Sequence, residues 1–489
     1  MKKTYLGWMP ACAGMTLVLL LAAYIGRTLQ GPYYWLENID PSYQYLMSSL
    51  NLLEGHSPRH TDHPGTPLQV LGVLVIVGRW GLMSAWKGVD VISDVLQQPE
   101  SYLIAINNTL MVLLGLNMTV CARRAYTLTH DKGSTLALLL LPFLFFQSTL
   151  ALWQVTPEPL LLVAMYLTLW VSLPLYVAPP QSASKAYVPI GVALGFGMAT
   201  KVTFFPWLLT LGLFPLWKDR FKGFGICCLA FVVCTLPILS RYKFMLKWNL
   251  TVLQHQGHYG HGGVGLPSLE TWGLNILKAF QEVPDFWVML GSVLALGWVR
   301  HTNLRAIRWI VLGAFLQGVL YLKHPGARYL LPALLWLGMG LCLTRPKALY
   351  GILGIALGLN LWQFQGWITN LKSLKNQTQA IEALVPGCFE IRSYSLNTLR
   401  ALQFGNDWNG GYFGPRLRAL YPDAIFYEFT HDAYSHFDKP LTHAELRTIV
   451  QQHACVMWET YRVDESYRPF KLISVPLPPG LLKLYGLVA

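Results

Sequence analysis

Charge is scarce in this chain. Asp, Glu, Lys and Arg together make up 12% of its 489 residues, too few to hydrate the surface of a soluble fold of that length. No Cys-x-x-Cys occurs, so neither a zinc site nor a redox dithiol is expected. Six of the eight cysteines (Cys12, Cys121, Cys227, Cys228, Cys234 and Cys342) lie inside apolar runs and read as packing residues. Only Cys388 and Cys455 lie in polar surroundings, where two outcomes stay open: a disulfide in an oxidising compartment, or two free thiols. No glycine-rich nucleotide fingerprint precedes a helix in the C-terminal part, and no internal repeat is visible. No small-x-small cleavage site follows the opening apolar run, which is therefore read as a span and not as a signal peptide.

What is abundant is apolar. Hydrophobic residues reach 53% and mean hydropathy is +0.39. The apolar residues come in repeated runs flanked by charge, Pro or Gly, as expected of an α-helical polytopic membrane protein. Eleven spans are expected: Leu6–Gly26, Tyr102–Cys121, Ser134–Trp153, Pro159–Val177, Val188–Thr200, Val202–Trp217, Gly223–Ser240, Phe286–Val299, Trp309–Leu322, Tyr329–Leu343 and Leu349–Trp362. The net charge of +13 would suggest nucleic acid in a soluble chain. Here Lys and Arg cluster in short links between apolar runs, so they read as a topology signal and no nucleic acid is expected.

A further run, Pro67–Trp86, is apolar enough to span, and the charges arbitrate. If it stays outside as an interfacial or re-entrant helix, the clusters around Arg123, Lys218, Arg300 and Arg345 all fall in the cytoplasm. If it spans, all of them are translocated. The interfacial placement is therefore expected, and Arg79 in mid-run suits a surface helix. Residues 27–101, the loop 241–285 and the tail then lie outside. The expected organisation is a transmembrane catalytic domain over residues 1–368 and a small extracytoplasmic α/β domain over 369–489, in the cytoplasmic membrane. In the tail Cys388–Tyr394, Ala424–Phe429 and Ala454–Glu459 read as strands and Leu441–Gln452 as a helix.

The polar chemistry sits on the outer side. Asp40, after the first span and before Pro41-Ser42, reads on its own as a helix N-cap, or else as a carboxylate presented at the membrane surface. Glu158 in Thr156-Pro157-Glu158-Pro159 is either a first-turn acid complementing a helix dipole or a functional group beside a span. Three outer cations, Lys201, Lys323 and Arg328, break the charge bias. They either snorkel to headgroups or bind a phosphate-bearing ligand. His255, His258 and His261 sit among glycines at a spacing that matches no metal motif. That loop is expected to close over substrate, with His255, His258 or Tyr259 touching sugar or phosphate.

Taken in order, Asp40, His63-Pro64-Gly65, Pro157-Glu158, Gly197-Met198-Ala199-Thr200-Lys201 and Arg328-Tyr329-Leu330-Leu331-Pro332 resemble the GT-C class of integral-membrane glycosyltransferases. The likeness is to the branch with protein O-mannosyltransferases and the lipid A aminoarabinose transferase, and it covers about the first 340 residues. Two departures are a lone Asp40 where some relatives have adjacent acids, and Gly65 where proline is commoner.

The resemblance implies inverting transfer of a sugar from a polyprenyl-phosphate donor to a lipid, glycan or protein acceptor. In that reaction Asp40 acts as general base, Lys201, Lys323 and Arg328 hold the donor phosphate, Glu158 orients substrate, and His63 holds the loop or contacts phosphate. No cofactor or metal is expected, although Asp40 and Glu158 are conceivable divalent-metal ligands. The competing class is a multi-span transporter or glycolipid flippase, against which the missing repeat counts.

Overall fold

The computed structural model describes residues 2–35, 39–177, 185–257, 260, 262–300, 304–344, 349–382, 389–392, 397–428, 433–453, 456–458, 461–464 and 471–474. It is mostly helical. In chain order the helices are α1 (Lys2–Gln30), α2 (Ile39–Leu53), α3 (Thr66–Met83), α4 (Val91–Gln97), α5 (Pro99–Thr129), α6 (Lys132–Leu144), α7 (Phe146–Ala151), α8 (Pro157–Val177) and α9 (Tyr187–Thr200). There follow α10 (Trp217–Cys234), α11 (Tyr242–Gln254), α12 (Leu269–Glu282), α13 (Pro284–Arg300), α14 (Leu304–Lys323), α15 (Leu331–Thr344) and α16 (Leu349–Glu382). Short 3₁₀ segments lie at Val202–Leu213, Leu236–Arg241 and Ala327–Leu330.

Among the described residues five helices are long and apolar enough to cross a membrane, at Ala13–Gln30, Thr66–Met83, Pro99–Thr129, Pro157–Val177 and Leu304–Lys323. A sixth arises if α10 and the Leu236–Gln254 stretch, bent by 84°, form one broken span. Such helices are what a multi-pass membrane protein requires. The other expected spans fall on shorter or interrupted elements. Ser134–Trp153 is split between α6 and α7 at Phe145, whose backbone is extended (φ −121°, ψ 124°) three residues after Pro142. The Val202–Trp217 run is a 3₁₀ helix over Val202–Leu213, containing Pro206. At about 2 Å of rise per residue it still reaches farther than an α-helix of equal length. By length and composition α3 belongs with the spans, so its expected interfacial position rests on the charge argument alone.

The chain packs as two compact units that interleave along the sequence. The first comprises residues 1–29, 60–71 and 107–364; the second comprises 30–59, 72–106 and 365–489. In the first, small residues let helices touch backbone to backbone. A Cβ on Gly195 of α9 would stand 2.4 Å from the Cys227 carbonyl oxygen of α10, and one on Gly191 would stand 2.6 Å from that of Gly223.

In the second unit strands β1 (Phe389–Arg392), β2 (Ile425–Glu428), β3 (Ala433–His436), β4 (Lys439–Leu441) and β5 (Val456–Trp458) form one sheet, ordered β4-β3-β2-β1-β5. A separate hairpin joins β6 (Tyr461–Asp464) to β7 (Lys471–Ser474). β1 runs parallel to both β2 and β5, and β2, β3 and β4 continue as an antiparallel meander. Helices α17 (Thr398–Trp408) and α18 (Gly414–Leu420) connect β1 to β2, as a parallel crossover demands, and α19 (His443–Gln451) precedes β5. Leu446 and Val450 of α19 bury against Ile391, Ile425, Tyr427 and Tyr434. α19 begins with a reciprocal cap in which Thr442 and Glu445 bond each other's backbone N–H. The three expected strands and the expected helix thus have counterparts. Cys388 and Cys455 lie outside the described residues.

Candidate functional site

Four of the residues singled out in the sequence, His63, Glu158, Lys201 and Arg328, meet in the first unit. Each is delivered by a break in a helix. Pro157 occupies the first turn of α8, where its missing N–H is harmless, and Glu158 follows it at the positive end of the helix dipole. Lys201 ends α9 in an extended conformation (φ −157°, ψ 128°), with its N–H donating to the Gly197 carbonyl at 3.0 Å. The chain then turns back, and Phe204 packs where a Cβ on Gly197 would stand, 2.3 Å from its ring. Gly197 is therefore what permits the turn that presents Lys201. Arg328 and Tyr329 lie in the 3₁₀ turn Ala327–Leu330, where the Tyr329 N–H donates to Gly326 O at 2.8 Å.

The Lys201 ammonium donates to the Glu158 carboxylate, and the two side chains are only 2% and 3% exposed. The ammonium also sits 5.4 Å from the centroid of the Tyr329 ring, in cation–π range. Arg328 acts electrostatically on Glu158, on Lys201 and on His63. The Glu158–Lys201 pair is buried, whereas Arg328, which acts on both, is exposed. A buried ion pair is weak evidence for stability, since its desolvation opposes its attraction.

His63 lies on the loop before α3, its ring 6.3 Å from that of His60 and nearly perpendicular to it. Burial, then the charge of Lys201, holds His63 well below the ordinary imidazole range. The same two causes lower His60 to about 4. Both rings are neutral at pH 7. The loop is pinned by Gln69, which donates its amide to the His60 carbonyl at 2.8 Å. Gly65 stands at φ +66°, a left-handed conformation that glycine adopts without a Cβ clash.

The remaining candidates stand elsewhere. Lys323 donates to the Leu253 carbonyl at the end of α11, and His324 bonds the Val252 carbonyl at 3.0 Å. Lys323 thus braces α11 and has no contact with the Glu158–Lys201 pair. His255 forms an antiparallel bridge with Val264, and its Nδ1 lies 2.8 Å from the Gly262 carbonyl. At this end the loop is a hydrogen-bonded turn, whereas His258 and Tyr259 lie outside the described residues. Asp40 is the second residue of α2, in the second unit, and its side chain is likewise outside the described residues. Among the described residues no group of three or more His, Cys, Asp or Glu is placed to hold a metal.

Sequence reasoning passed over Glu100, which accepts from Tyr33 and Tyr43 in the second unit. A signal for it existed. Pro99-Glu100 repeats the Pro157-Glu158 pattern at a helix start. No family model, curated protein or solved structure matches the chain.

Proposed function

We propose that this chain is a GT-C-like glycosyltransferase of the cytoplasmic membrane, moving a sugar from a polyprenyl phosphate to an acceptor at the outer face. The observation that carries the reading is the buried ion pair of Lys201 and Glu158, on which the exposed Arg328 also acts electrostatically. Ionisable groups grouped inside an apolar helical protein are expensive to keep and default to a functional role. In the proposed reaction an acceptor hydroxyl or amine attacks the anomeric carbon as the bond from that carbon to the phosphate oxygen breaks. Asp40 takes the acceptor's proton, and the lipid phosphate leaves with the bonding electrons. Lys201 and Arg328 stabilise its growing charge, a preorganised electrostatic contribution on the order of 3 kcal/mol per donor. Glu158 holds Lys201 in place and offers its second oxygen to substrate hydroxyls. Lys323, bonded to α11, has no part in this scheme.

The test uses membranes containing the full chain and a radiolabelled polyprenyl-phosphate sugar, with label counted in the acceptor fraction. Asp40→Ala and Arg328→Ala are each expected to abolish covalent transfer. Wild-type transfer by Asp40→Ala overturns the role of Asp40 as the base, and sugar crossing the bilayer without a covalent product overturns the reading in favour of a flippase. Cysteine labelling that puts positions 40 and 328 on opposite faces of the membrane also overturns it.

A further inference from the structure

Glu100 lies in the first turn of α5, behind Pro99, where the helix dipole favours a carboxylate. Its two oxygens are divided between Tyr33, which precedes α2, and Tyr43 within α2. Oε2 accepts from the backbone N–H of Tyr33 at 2.7 Å, and Oε1 accepts from the phenol of Tyr43 at 2.7 Å. Tyr33 and Tyr43 are both fully buried, and Asp40 lies on the chain between them, one turn of α2 ahead of Tyr43. Burial, then the charge of Glu100, raises the Tyr43 phenol above its ordinary range, so it remains a donor. A carboxylate with both oxygens engaged this way fixes the start of α2 against α5.

The far end of α2 is fixed by a different element of the same unit. Asn409, just after α17, donates its amide to the Gln44 carbonyl at 3.0 Å and accepts from the Ser48 hydroxyl, while its carbonyl accepts from Asn51 at 3.1 Å. Gln44, Ser48 and Asn51 share one face of α2. Gly405 lets α17 come so close that a Cβ there would stand 2.8 Å from the Tyr43 carbonyl oxygen. With the rest of α2 so tied, Glu100 holds the first turn, on which Asp40 stands.

We infer that Glu100 is a positioning residue, clamping Tyr33 and Tyr43 so that the first turn of α2, on which Asp40 stands, is held in one place. The inference rests on the glycosyl-transfer reading, and it names a residue outside the groups assigned to the reaction. A general base must lie within hydrogen-bond reach of the proton it takes, and a displacement of about 1 Å lowers the rate on the order of 10²-fold.

The experiment compares Glu100→Ala, Glu100→Gln and Tyr43→Phe in the full chain in detergent, measuring kcat, KM for the lipid donor and melting temperature. Glu100→Ala is expected to lower kcat on the order of 10²-fold with KM unchanged, and Tyr43→Phe about tenfold, since one of two tethers remains. Glu100→Gln is expected to keep most of the rate. Its amide oxygen accepts from Tyr33 N–H, and its NH₂ donates to the Tyr43 hydroxyl, which then acts as acceptor. Adding Glu100→Ala to Asp40→Asn is expected to slow transfer no further, because the clamp acts only through Asp40.

Additive losses, or a rise in KM with kcat intact, overturn the positioning role. If Glu100→Ala fails to fold, Tyr43→Phe decides, and an unchanged kcat overturns the inference. If Asp40→Asn itself transfers sugar normally, Asp40 is not the base and the clamp fails with it, whereas a wild-type chain that transfers no sugar overturns the glycosyl-transfer reading. If Asp40→Asn is inactive while Glu100→Ala and Tyr43→Phe are normal, only the clamp fails.

Discussion

Replacing Glu158 with Gln keeps the shape of the side chain and removes its charge, leaving the buried Lys201 without its carboxylate and still facing the charge of the exposed Arg328. Lys201→Met leaves one carboxylate and one cation, because Arg328 still acts on Glu158. Breaking a buried pair destabilises by about 3–5 kcal/mol when the surviving charge has no compensation. Glu158→Gln belongs at the top of that range, about 5 kcal/mol, and Lys201→Met near the bottom, about 3 kcal/mol. The difference of about 2 kcal/mol corresponds to a few degrees of melting temperature in a chain of this size. The double variant Glu158→Gln with Lys201→Met is expected to recover most of the loss, since no unpaired partner remains in the pair.

Thermal unfolding in detergent, followed by fluorescence of the 18 tryptophans at pH 7.5 where both histidines are neutral, reads all three. Equal losses in the two single variants, or a larger loss for Lys201→Met, refute the charge arithmetic of the cluster. A stable double variant that no longer transfers sugar identifies the pair as kept for function and not for the fold.

The histidine loop makes stability depend on pH. His60 is lowered in the folded chain from 6.5 to about 4, so the unfolded chain takes up the proton first and stability falls as pH drops from about 6.5 toward 4. The full loss is about 3 kcal/mol for this group, and the stability of His60→Gln is expected to fall by about 2 kcal/mol less than that of the parent chain between pH 7 and 4.5. Gly197→Val is expected to drive Phe204 out of its notch and displace Lys201. The predicted result is a loss of about 2 kcal/mol from overpacking and a drop in transfer larger than in a Gly225→Ala control, whose Cβ meets nothing within 4 Å. Asn409→Asp preserves shape but turns an amide donor into an acceptor facing the Gln44 and Gly405 carbonyls. A loss of about 3 kcal/mol is expected, with faster hydrogen exchange in α2 than in α14, and unchanged exchange in α2 contradicts it.

The sequence by itself determined that the chain needs an apolar solvent, because transfer free energy is summed locally over runs of residues such as Pro159–Val177. It also exposed Glu158, Lys201, Arg328 and His63, since each interrupts a pattern of hydropathy, charge or turn chemistry readable within a few positions. The helix ends were less legible. Pro142 and the extended Phe145 interrupt what hydropathy alone presents as one continuous run. The partners of these residues were decided only by the fold. Lys201 and Lys323 look alike in sequence, each a lone cation at the end of an apolar run, yet one meets a carboxylate and the other a backbone carbonyl. Asn409 and Gln44 are 365 positions apart, and Glu100 and Tyr43 are 57 apart. Hydropathy and helical period describe which face of a segment avoids water, but a hydrogen bond is specified by distance and direction. Those are fixed only when remote segments pack, so the clamp on α2 belonged to the tertiary structure alone.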